Sequence, residues 1–127
     1  LGLSQLARWP ELESCLESVR DRYTQALVGH PHLRLPSSLD EARPGWSYFS
    51  VRADGGRARA LARHLRARGV DAVAWAPPAH LFALYRSKRR LPVAEAYWKD
   101  FVDLPFSTTL TAAEAERCAD ALSSFRG

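Results

Sequence analysis

Leu91–Phe125 reads LPVAEAYWKDFVDLPFSTTLTAAEAERCADALSSF. Leu91-Pro92 opens a helix, because proline at the first helical position gives up no hydrogen bond that the helix would have made. Phe101, Val102, Leu104, Pro105 and Phe106 form an extended run, which Pro105 confines to a sheet edge or a strand end. Thr111-Ala112-Ala113-Glu114 is a capping box: the threonine hydroxyl and the glutamate side chain satisfy backbone donors at a new helix start. Helix, strand and helix thus follow one another from about Pro92 to Lys99, through Phe106, and from Ala112 to Ser124.

The segments upstream fit the same alternation. Leu3, Leu6 and Ala7 mark a first helix that Pro10 restarts, and Leu12, Leu16, Val19, Tyr23, Ala26 and Leu27 keep helical spacing to about Val28. Gly29 ends that helix, and His30 to Gly45, with three prolines, reads as a surface loop. Trp46–Arg52 alternates as a strand. Asp54-Gly55-Gly56 turns into a helix from about Arg57 to Arg68 with Ala58, Leu61, Ala62 and Leu65 on its buried stripe, and Gly69 caps it. Val70–Trp75 is a further strand stopped by Pro77-Pro78, and Ala79–Arg90 is irregular or one short helical turn. The class expected is α+β: a two-layer α/β sandwich of about three strands with helices packed on one face. Residues 1–28 are expected to be linking helices broken at Pro10, and residues 29–127 a small domain. A crossover through the Arg57–Arg68 helix makes its flanking strands parallel if they share a sheet without a reversal.

The 127 residues suffice for one core. No apolar run reaches the roughly 20 residues of a membrane span, and Cys15 and Cys118, far apart, are expected to be buried and reduced. A cytoplasmic location follows. The formal charge of +4 comes almost wholly from arginine, a balance that fits a soluble surface better than a nucleic-acid binder. A chain that begins at Leu1 and has no methionine is expected to be a fragment or excised domain.

Candidate chemistry is sparse. Arg59, Arg63 and Arg66 share one helix side and read as a solvated face or a phosphate surface. His30 and His32 lack further metal ligands and are expected to be surface loop histidines; no metal site is expected. His64 has no partner visible in sequence. Trp75–Phe82 follows a strand end, where functional loops gather. Its His80 and the nearby Tyr85 supply an imidazole and a phenol, and the basic run Arg86, Lys88, Arg89, Arg90 adjoins it. The loop is either a substrate-side element or a rigid connector.

In order along the chain, Leu91-Pro92, Ala94-Glu95, Leu104-Pro105, and Leu110-Thr111 with Glu114 resemble the C-terminal end of the DegT/DnrJ/EryC1/StrS aminotransferases, with its proline-headed "AE" helix, "LP" strand and "LT-x-x-E" helix. Leu1–Leu6 (GLSQL and the leucine before it) is similar to the family's "GLxQL" helix end, followed by the helix bearing Arg22 and Tyr23. The resemblance implies the small C-terminal domain of a fold-type I pyridoxal-phosphate enzyme that aminates nucleotide-linked keto sugars. It implies further that the Schiff-base lysine and most cofactor contacts lie in an N-terminal domain, so that this chain alone holds no cofactor, carries no catalytic residue and is inert. Lys88 and Lys99 match no family lysine. The partners implied are that N-terminal domain, a second subunit in a homodimer, and the nucleotide-sugar substrate. His80, Tyr85 and Arg86 are the substrate-side contacts expected. Where the family often has His-Tyr-Pro, this chain has Trp75-Ala76-Pro77. The alternative is a non-catalytic protein-interaction or polyanion-binding module that kept the fold.

Overall fold

The computed structural model describes residues 2–36, 47–85 and 88–127. Helix α1, Gly2–Ala7, breaks at Arg8, and α2, Trp9–Leu27, takes Pro10 in its first turn. The break thus falls two residues before the proline that was expected to mark it, since proline fits the first turn of the new helix rather than the gap. The order continues as β1 (Leu33–Arg34), β2 (Phe49–Ala53), α3 (Ala58–Arg66), β3 (Val73–Ala74), two short 3-10 turns, α4 (Pro92–Asp100), β4 (Phe101–Leu104) and α5 (Ala112–Ser123).

The described sheet has four strands in the order β1-β2-β4-β3, every neighbouring pair antiparallel. Its α+β class agrees with expectation, and its strand count exceeds it by β1. The last strand in sequence lies in the interior: Val102 pairs with Val51 on β2 and with Ala74 on β3. Phe101–Leu104 is therefore not an edge strand, and Pro105 acts only as its stop. Since β2 and β3 both oppose β4, they run in the same direction with β4 between them, a crossover through α3 that skips one position. Trp46, expected to start β2, lies outside the described residues.

Alternation sends Phe49, Val51, Ala53, Val102 and Leu104 to one face. There they meet Tyr23 of α2, Leu61 and Leu65 of α3, and Cys118, Leu122 and Phe125 of α5 and its end. Tyr23 and Phe49 meet edge to face at 5.1 Å, and the Tyr23 hydroxyl donates to the Pro105 carbonyl at 2.9 Å. Arg22 bridges to Glu116 at 2.5 Å, tying α2 to α5. His64 is partnered after all: Nε2 lies 2.8 Å from the Ala121 carbonyl and 3.1 Å from Ser124 Oγ, binding α3 to α5. After α3, Gly69 takes φ +76°, a conformation that suits only glycine without strain, and the Val70 amide returns to the Leu65 carbonyl.

Three residue-level expectations change. Cys15 is exposed on α2, while Cys118 is buried. His30, expected on a surface loop, is buried; its Nδ1 accepts from the amides of His32 (3.2 Å) and Leu33 (3.1 Å) and so shapes the entry into β1. The arginine face of α3 is partly engaged, because Arg66 donates to the Ala72 carbonyl and Arg59 lies over the Trp98 ring.

Candidate functional site

The C-terminal ends of β2 and β3 and the N-terminal end of β4 lie at one end of the sheet. The chain leaves β3 through Trp75-Ala76-Pro77-Pro78, where the proline rings fix φ and forbid a helix. It then makes two 3-10 turns, Ala79–Leu81 and Ala83–Tyr85, closed by Leu81 N–H to Pro78 O (2.9 Å) and Tyr85 N–H to Phe82 O (3.0 Å).

His80 folds back onto α4, and its Nε2 lies 3.2 Å from Glu95 Oε1 with only 10% of the side chain exposed. The carboxylate accepts, so Nε2 carries the proton. Glu95 Oε1 also accepts the Leu91 amide at 2.8 Å, one of the orphan donors at the head of α4. That amide, then His80, hold the Glu95 carboxyl below the usual carboxylate range. His80 is thus a latch between the loop and α4. Tyr85 stands on the second turn, 61% exposed. Arg86 lies outside the described residues.

Two grooves flank α4. Between it and the loop lies an apolar groove of 630 Å3, lined by Ala76, Pro78, Leu91, Val93, Tyr97 and Trp98. The Trp98 indole N–H is buried there without an acceptor among the described residues, and the Arg59 guanidinium lies 5.2 Å from the ring centroid. On the other side a groove of 1010 Å3 is lined by Arg34, Arg52, Asp54, Tyr97, Asp100 and Phe101 among others. Arg34 and Arg52 are directly opposed across β1 and β2, a repulsive placement for like charges. Asp54 bridges both, 3.7 Å from Arg34 Nε and 3.3 Å from Arg52 Nε, and Asp100 adds a 3.3 Å contact to Arg52 while accepting the Gly56 amide at 2.8 Å. Tyr97 stacks on Phe101 with centroids 3.8 Å apart.

Sequence reasoning missed Glu95 as the partner of His80 and the whole Arg34–Arg52–Asp54–Asp100 network. Glu95 stands four residues after Leu91, the spacing by which a side chain can reach back to a helix head, and that signal was available. The arginine network is joined by strand pairing across long separations and carries no local pattern.

Pyridoxal phosphate needs a lysine aimed into a pocket, a carboxylate at the pyridine nitrogen and donors for the phosphate. Lys99 points its ammonium toward the Trp98 ring at 6.0 Å, Lys88 is exposed, and neither lines the grooves just described. The described residues do not by themselves make a site for this cofactor.

The comparisons with known proteins agree with this architecture. The model of the DegT/DnrJ/EryC1/StrS aminotransferase family matches residues 1–123, and the chain belongs to that family. It is 32% identical over 127 residues to dTDP-3-amino-3,4,6-trideoxy-alpha-D-glucose transaminase of Streptomyces venezuelae, covering 96% of this chain and 32% of that protein. A dTDP-4-dehydro-2,3,6-trideoxy-D-glucose 4-aminotransferase of Saccharopolyspora spinosa is 28% identical over 121 residues, 94% of this chain and 31% of that protein. Among solved structures, the aminotransferase TlmJ of Streptoalloteichus hindustanus superposes with a TM-score of 0.84 at 29% identity, over 97% of this chain and 34% of that one. The chain spans about a third of the length of these relatives. Among the described residues no helix is long and apolar enough to cross a membrane.

Proposed function

We propose that this chain is the small C-terminal domain of a pyridoxal-phosphate sugar aminotransferase, acting on a nucleotide-linked keto sugar when joined to the remaining two thirds of the fold. Residues 1–28 are then the linking helices and 29–127 the domain proper. The domain covers one side of the active site, and the loop from Trp75 to Tyr85 is its substrate-side element, with His80, Tyr85 and Arg86 as the contacts. The observation that carries this reading is the latch: two prolines, two 3-10 turns and the His80–Glu95 contact make the loop a fixed wall beside an apolar groove. The cofactor supplies the carbanion-stabilising chemistry from the large domain. What this chain supplies is binding surface, orientation and exclusion of water. A homodimer and a cytoplasmic location belong to the same reading.

The 127-residue chain, mixed with pyridoxal phosphate, an amino donor and a dTDP-keto sugar, is expected to show no transamination. The whole gene product is expected to show the absorbance of a lysine-bound cofactor and to transaminate. Absence of that absorbance overturns the catalytic reading. In the active protein Glu95→Gln, which weakens the latch, raises KM for the sugar nucleotide about fivefold with a smaller change in kcat, as expected for loss of a hydrogen bond of about 1 kcal/mol. An unchanged KM removes the loop from substrate binding.

A further inference from the structure

The face of the sheet turned away from the core carries a buried charge. Asp103, only 6% exposed, lies in the middle of that face, opposite Ser50 on β2 and Val73 on β3. Its Oδ1 accepts from Ser50 Oγ, and its Oδ2 accepts from Trp75 Nε1 at 2.6 Å. Both donors are neutral. Among the described residues no arginine, lysine or histidine pairs with this carboxylate. A carboxylate at such depth is costly unless a positive charge is brought to it.

A cavity of 240 Å3 opens beside it, lined by Tyr48, Asp71, Val73, Trp75 and Pro105 as well as Asp103. Trp75 and Tyr48 meet at 88° with centroids 6.0 Å apart, forming a right-angled aromatic corner whose indole is pinned by Asp103. Asp71 stands exposed at the rim, and among the described residues no basic side chain lines the space.

We propose that this corner is a binding site for one organic cation, a guanidinium or primary ammonium group. Aromatic faces attract cations, indole most strongly, and Asp103 acquires the counter-charge that the described residues do not give it. A guanidinium suits the corner better than an ammonium, since it is planar enough to stack on the indole and weakly hydrated enough to enter. The volume is below the roughly 300–1,000 Å3 of sites that enclose a whole drug-sized ligand, and matches a single head group. Two carboxylates, with no cation beside them among the described residues, repel phosphate. The described residues hold no cluster of three or more metal-ligating side chains, which sets the site apart from a metal centre. The proposal is independent of the aminotransferase reading.

The test is an NMR titration of the 127-residue chain with ethylguanidinium chloride, butylammonium chloride and the capped peptide acetyl-Gly-Arg-Gly-amide, with sodium chloride as the ionic-strength control. The Trp75 indole N–H and Tyr48 ring resonances are expected to shift saturably, guanidinium binding more tightly than ammonium. Asp103→Asn should weaken binding about tenfold or more, a change of roughly 1.4 kcal/mol. Peptide binding tighter than ethylguanidinium identifies an arginine side chain of a protein as the natural occupant, and equal binding identifies a free small cation. Shifts reproduced by sodium chloride, or an affinity unchanged in Asp103→Asn, overturn the proposal. If Asp103→Asn does not fold, Tyr48→Ala at the exposed wall decides, because it must weaken binding severalfold and an unchanged affinity overturns the site.

Discussion

At the scale of single residues, His30 couples this fold to pH. Its Nδ1 accepts two backbone amides, so the ring must be neutral there. Burial, with His32 beside it and Arg126 nearby, pushes its pKa below the usual histidine range, against the raising effect of the Phe125 and Leu122 carbonyls. The unfolded chain therefore takes up a proton before the folded one. The stabilisation is complete above the ordinary histidine value near 6.5 and is lost as pH falls from there through the lowered folded value. Urea unfolding at about pH 8 and about pH 5 should show a stability loss that is smaller in His30→Asn, whose carbonyl can still accept. His30→Ala leaves the two amides without their acceptor and should cost about 1–3 kcal/mol at neutral pH. The cysteines differ in the same local way. Burial pushes the Cys118 thiol up to about 11, while Cys15 is exposed. One thiol should react with a disulfide reagent in the native chain, and the second only on unfolding. Burial of Cys118 was read from the sequence, but the exposure of Cys15 and the role of His30 were not: an HxH pair in a proline-rich stretch looks like solvent, and nothing local reports that β1 forms there.

At the scale of elements, legibility followed local punctuation. Thr111 Oγ1 accepts the Glu114 amide at 3.3 Å and Glu114 returns to the Thr111 amide at 2.8 Å, the capping box read from the residues alone. Thr111→Ala should lower stability by about 1 kcal/mol in thermal or urea unfolding. Helix α3 was legible for the same reason, through its apolar stripe and Gly69. Strands β2, β3 and β4 were legible as alternating or apolar runs, though β3 is shorter than the run that announced it; β1 was not, since it is two residues long and exists only through its pairing with β2. Glu95 shows the boundary between the two cases. Its bond to the Leu91 amide is local and readable, but its contact with His80 depends on where the loop returns.

At the scale of the whole molecule, the core joins three helices to one sheet face. Tyr23 is its junction, fully buried against Phe49 and hydrogen-bonded to Pro105, so Tyr23→Phe should cost about 1 kcal/mol and Leu61→Ala about 2–5 kcal/mol. The opposite face and the flanks of α4 remain rich in exposed Tyr48, Trp75, Val93 and Tyr97. Such surface carries no periodic or capping signal, so this part of the site was illegible in the sequence.

The position of β4 also governs the timing of folding. Of the described strands this interior one is the last to be made, so β2 and β3 emerge with their shared neighbour still missing. Their pairing edges stay open while about thirty further residues are added, and the sheet closes only once β4 has been made. A chain stopped after Asp100 should therefore show no cooperative unfolding transition, whereas loss of α1 alone should leave one.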